Sequence, residues 1–154
     1  MKLVLNGHDE RYVVEQGMLN LFPGERPVYE PIGPGDDSWA VVTLREDDRC
    51  HVTVELCFRG KSLPYSLDVP LVGDEFQREG IRRRTIGKCF FLAARALTGH
   101  TPPWGMLTGV RPVKLPTRAL LSGATPLQAK QELREEYYVS PDRAALAVDC
   151  AQAS

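Results

Sequence analysis

The sequence predicts an α+β fold: a mostly antiparallel sheet of about four to five strands covered by helices, followed by a helical C-terminal segment. Three observations carry that expectation. The first half holds short β-type runs, the clearest being the alternating HVTVELCF at 51–58, which Arg59-Gly60-Lys61 turns into a further run. Asp74 then opens a long helical pattern that stops on Gly99. Beyond residue 112, three short helical patterns follow with their own start or stop residues. The division expected is 1–98 as the sheet domain with its long basic helix, and 99–154 as a glycine- and proline-rich loop with a helical segment.

Taken in order, Met1 to Leu5 is a short apolar run. A helical pattern begins at Asp9, in which Tyr12, Val13, Leu19 and Phe22 can share an apolar side, and Pro23-Gly24 ends it. Val28 to Ile32 reads as extended, and GPGDD at 33–37 as a turn. Strand-like runs follow at Trp39–Leu44, Cys50–Phe58 and Leu63–Val69, with REDDR at 45–49 turning between the first two. The order is therefore β-α-β-β-β-β. In the 74–98 helix, Ile86, Cys89, Phe90, Ala93, Ala94 and Leu97 fall on one face, and Arg84, Lys88 and Arg95 cluster opposite. Arg82 and Arg83 fall toward the apolar side, so each either snorkels or meets an acidic partner. Val113 to Leu121 reads as a short helix with Pro116 near its first turn. Thr125-Pro126-Leu127-Gln128 has capping-box spacing ahead of a helix to Glu136, and Ser140-Pro141-Asp142 starts another that carries Ala145, Leu146 and Val148 inward. That last pattern meets no stop residue, which reads as a chain cut from a longer one.

Composition narrows the function. Hydrophobic residues at 43% and charged residues at 25% fit a folded domain. The early charges of MKLVLNGHDE and the lack of an apolar run of roughly 18–20 residues argue against a signal peptide or membrane span, so the chain reads as cytoplasmic with no membrane partner. Four scattered cysteines (Cys50, Cys57, Cys89, Cys150) form no CxxC pair, so no metal site is expected, and Cys57 and Cys89 read as core residues. There is no phosphate-cradling glycine motif. Between Arg78 and Arg118 stand nine Lys/Arg and one acid, Glu79, for +8; with an overall charge of −1, the rest carries −9. The basic segment is expected to face something anionic: a ligand, a nucleic acid, or acidic groups of the same protein. Nucleic acid is the weaker choice, because 119–154 carries −2, the wrong sign for a phosphate-facing helical element.

The stretch PPWGMLTGVRPVKL at 102–115 suits neither helix nor strand. Pro102-Pro103 should hold the chain extended, Gly105 and Gly109 allow close backbone approach, and Trp104 supplies an apolar plate. Thr108 offers a hydroxyl, and Arg111 and Lys114 suit an anion. Trp104, Thr108, Gly109, Arg111 and Lys114 are the candidate ligand or domain contacts, with Arg84, Lys88 and Arg95 as a basic patch; no catalytic residue is proposed. A structural elbow, a ligand contact and a contact to another domain all remain open on these residues alone.

This stretch resembles the W-G-x-L-T-G-[VI]-R-P-x-K-[LI] signature that precedes the catalytic domain in oxygen-independent coproporphyrinogen III oxidases of the HemZ type, which are radical-SAM proteins. Supporting resemblance lies in MKLVLNGHDERY, in LFPGE at 21–25 and in REEYYVSPDRAALAVDCA at 134–151. The resemblance implies an accessory N-terminal region of an enzyme of anaerobic haem biosynthesis, packed on its own C-terminal radical-SAM domain and close to an anionic tetrapyrrole substrate. A 4Fe-4S cluster and S-adenosylmethionine are implied for that absent domain and no cofactor for this chain, which has no Cys-x-x-x-Cys-x-x-Cys. A haem- or nucleic-acid-binding module and a purely structural domain are the alternatives. His100 is the least improbable haem ligand among His8, His51 and His100.

Overall fold

The computed structural model describes residues 1–107 and 112–153. The chain divides into two compact units, Met1–His100 and Thr101–Ser154.

In the first unit, β1 (Lys2–Asn6) leads through α1 (Arg11–Leu21) to β2 (Ser38–Glu46), β3 (Arg49–Phe58) and β4 (Lys61–Pro70), and α2 (Glu75–Thr98) closes it. The sheet order is β1-β2-β3-β4, with β1 parallel to β2 and the other pairs antiparallel. The expected α+β class is thus found, with four strands in a mixed sheet. Strand alternation sends Ala40, Val42, Leu44, Cys50, Val52, Val54 and Leu56 into the core, all buried. α2 packs across β3 and β4 and brings Ile86, Cys89, Phe90, Ala93 and Ala94 onto that face. Its Asp74 carboxylate accepts the Gln77 N–H while the Gln77 side chain accepts the Asp74 N–H, and Gly99 ends it at φ 70°.

Three expectations need correction. Val28 to Ile32 is not a strand: Val28 makes one bridge to Lys2, donating to Met1 O and accepting from Leu3 N at 3.0 and 2.9 Å. Pro27 and Pro31 on either side have no N–H with which to extend the ladder. The inward face of α1 is Val14, Met18 and Leu21, with Phe22 buried just beyond it, while Tyr12 is 73% exposed. Apolar residues surround this helix, so periodicity leaves its face undecided; α1 packs on α2, with Gly17 against Phe90 and Val13 against Gly87. In the C-terminal helix, Ala144, Ala147, Val148 and Ala151 are buried, and Leu146 points out.

The β3–β4 turn has two central residues of positive φ, Arg59 at 53° and Gly60 at 80°, the geometry that matches strand twist and that asparagine or glycine adopts at least cost. Arg59→Asn is expected to raise stability by roughly 0.5–1 kcal/mol, measured by urea denaturation. Pro64 sits opposite Glu55 on β4, an edge strand, where a missing donor costs no ladder bond.

Glu25, at the end of LFPGE, ties the sheet margin together. It accepts the Ser38 hydroxyl and the Met1 ammonium, which also donates to Arg26 O at 2.9 Å. The Ser38 hydrogen bond, then the ammonium, hold its carboxyl below the usual value. A lowered folded pKa means that the stabilisation is present above the unfolded value, about 4.3, and is lost as pH falls through the folded one. Glu25→Gln is expected to cost about 1 kcal/mol at pH 7 and to flatten the acid side of a pH-dependent denaturation series.

The second unit holds α3 (Lys114–Leu121), α4 (Pro126–Glu136) and α5 (Pro141–Ala153), each packing on the other two. The Thr125–Gln128 capping box with proline at the first helical turn forms as its spacing requires. Ala129, Leu133, Val139, Ala144, Ala147 and Val148 make its core.

Candidate functional site

The opening half of the 102–115 stretch is a turn rather than an extended run. Gly105 N donates to Pro102 O at 2.9 Å and Leu107 N to Trp104 O at 3.0 Å. Pro103 fits the second position of such a turn, where its fixed φ is pre-set. The turn is fastened to the corner between α4 and α5: Met106 N donates to Tyr137 O at 2.7 Å, and Ser140 N to Pro103 O at 2.8 Å. Gly105 has φ 57°, and a Cβ there would coincide with the carbonyl oxygens of Tyr137 and Tyr138. Trp104 and Leu107 pack on the unit's core, and the Arg143 guanidinium lies 5.9 Å from the Trp104 ring centre. Residues 102–107 are therefore a clasp within their own unit. Nothing local in the sequence announces the receiving corner, which lies some thirty residues further on.

Of the remaining candidates in this stretch, Lys114 is the exposed first residue of α3. Thr108, Gly109 and Arg111 lie outside the described residues. Arg84, Lys88 and Arg95 follow one line of α2, with Arg84 exposed and Arg95 stacked 6.0 Å from the Phe91 ring centre. The neighbouring arginines meet acids of the same unit. Arg82 bonds Glu46 and Glu75, each at 2.7 Å, and these partners, Glu46 first, raise its pKa above its ordinary value. Arg83 pairs with Glu10 at 3.5 Å. Part of the basic segment is thus answered by the protein's own carboxylates.

An iron–sulfur cluster needs convergent thiolates, which these cysteines do not supply. The Cys89 thiol is pushed up to about 12 by burial and donates toward Tyr65 O at 3.5 Å. Burial also raises Cys50, and Cys57 donates to Asp37 O at 3.6 Å. Among the described residues no three His, Cys, Asp or Glu side chains are placed to hold a metal ion. The described cysteines do not fit a cluster, and no chemistry is routed through one here. The histidines are engaged or exposed: His8 bridges Glu10 N and Val42 O, His51 lies between Asp47 and Asp68, and His100 is exposed past the end of α2.

No family model matches the chain. It is 30% identical over 148 residues to the oxygen-independent coproporphyrinogen-III oxidase-like protein HemZ of Bacillus subtilis (strain 168). The chain is a partial homologue of HemZ. The match takes in 93% of this chain and 29% of HemZ, a share consistent with an N-terminal region. Among the described residues, no helix is long and apolar enough to cross a membrane.

Proposed function

We propose that this chain is an accessory region of a HemZ-like protein, non-catalytic by itself, that packs against and supports a catalytic domain in the same polypeptide. The observation that carries the reading is the asymmetry of the match, which spans nearly all of this chain but under a third of HemZ. The resemblance implies that the missing portion is a radical-SAM domain, whose cluster and S-adenosylmethionine would oxidise the propionate side chains of coproporphyrinogen III to vinyl groups. The committed state of the described thiols supports the same division of labour. Arg84, Lys88, Arg95, Arg111 and Lys114 are the residues assigned to contact that domain or its anionic tetrapyrrole substrate.

A chimera in which this chain replaces the matching region of HemZ tests the docking. The chain is expected to melt higher within the chimera than alone, because contacts made only in the folded state raise its stability. Arg111→Ala is expected to reduce that gain or the chimera's activity. Identical melting of the chain in both settings would sink the proposal.

A further inference from the structure

Three helices of this chain end at a residue in left-handed backbone geometry, and one of the three breaks a pattern. α2 ends on Gly99 at φ 70° and α3 on Ser122-Gly123, with Gly123 at φ 98°. Glycine is the residue expected there, having no Cβ to collide with its own carbonyl. α4 ends instead on Tyr137-Tyr138, with Tyr138 at φ 57°. A bulky aromatic at positive φ is an outlier that persists only where its surroundings over-determine it. The surroundings here do: Met106 N to Tyr137 O, Val139 N to Leu133 O at 3.0 Å and Ser140 N to Pro103 O fix the backbone before and after it. Gly105 lies against the same peptide, so the corner that receives the clasp is the corner that holds Tyr138.

None of these backbone contacts uses the Tyr138 side chain, and glycine would serve them at less cost. The other non-glycine residue of positive φ among the described residues, Arg59, occupies a two-residue hairpin turn, where the strands impose the conformation. We infer that Tyr138 is retained for its half-buried ring, as a contact residue through which this region docks on the catalytic portion of a HemZ-like protein. This inference rests on the docking reading above. A tyrosine ring gives rigid apolar area with one hydroxyl, so the surface it meets is apolar with a hydrogen-bonding group at its edge.

Tyr138→Gly separates the two roles that the residue could have. In the chain alone it is expected to raise the melting temperature of the 101–154 unit by roughly 4–8 °C, since the strain is relieved. In the HemZ chimera it is expected to lose most of the extra melting temperature that the wild-type chain gains there. A lower melting temperature in the chain alone would assign the ring to internal packing and overturn the inference. So would an undiminished gain in the chimera. If the wild-type chain itself gains nothing, the docking reading fails and takes this inference with it; a wild-type gain that Tyr138→Gly keeps in full removes the Tyr138 inference alone.

Discussion

Gly105→Ala is expected to unfold the 101–154 unit while leaving the sheet unit folded. The new methyl would occupy the position of the Tyr137 and Tyr138 carbonyl oxygens, and those oxygens belong to backbone that Val139 and Ser140 hold in place. Left-handed geometry alone costs a non-glycine residue about 1–2 kcal/mol. Opening the clasp removes the Met106–Tyr137 and Ser140–Pro103 hydrogen bonds, about 1 kcal/mol each, and uncovers part of Trp104. The sum, about 3–5 kcal/mol, is large for a three-helix unit with a core of this size. Amide NMR spectra should show dispersion lost among resonances of 101–153 and kept among those of 2–100. A fully dispersed spectrum of the variant would show that the clasp does not hold the unit together.

The second large effect concerns the seam between α1 and α2. Phe90 is fully buried, and a Cβ placed on Gly17 would sit 2.8 Å from its Cδ1 atom. Phe90→Ala is expected to cost about 3–5 kcal/mol through lost burial and the cavity left behind. Gly17→Ala should gain about 1 kcal/mol of helix propensity, yet it forces a packed ring to move, which costs about 1–3 kcal/mol, so the net effect is destabilising. With Phe90 already replaced by alanine, the methyl enters empty space and Gly17→Ala is expected to change sign and stabilise. A double-mutant cycle in urea measures this; additive effects would show that the two residues do not share the seam.

Features that depend on neighbours in sequence were the legible ones. The Asp74–Gln77 and Thr125–Gln128 capping boxes, the Gly99 stop and the Arg59-Gly60 turn each follow from local hydrogen bonding or backbone preference. Features set by distant residues were not. The face of α1 is selected by Gly17 meeting Phe90, more than seventy residues later, and no period within 11–21 encodes that. Arg82 had two open fates, and Glu46 at the end of β2 decided it. The 102–115 stretch was conspicuous as a sequence, yet its described half fastens to Tyr137–Ser140 and serves the fold of its own unit. The candidate contacts therefore narrow to residues outside that clasp, with Lys114 exposed at the start of α3 and the basic line of α2 in the other unit.

The account holds that this chain supplies a folded accessory surface and no redox chemistry of its own. Anaerobic reconstitution of the chain alone with ferrous iron and sulfide, followed by reduction in the presence of S-adenosylmethionine, tests this directly. The expected result is no stoichiometric iron uptake, no charge-transfer absorbance near that of a 4Fe-4S cluster, and no cleavage of S-adenosylmethionine, because the described thiols are dispersed and two of them are held protonated by burial. A bound cluster together with cleavage of S-adenosylmethionine would contradict it.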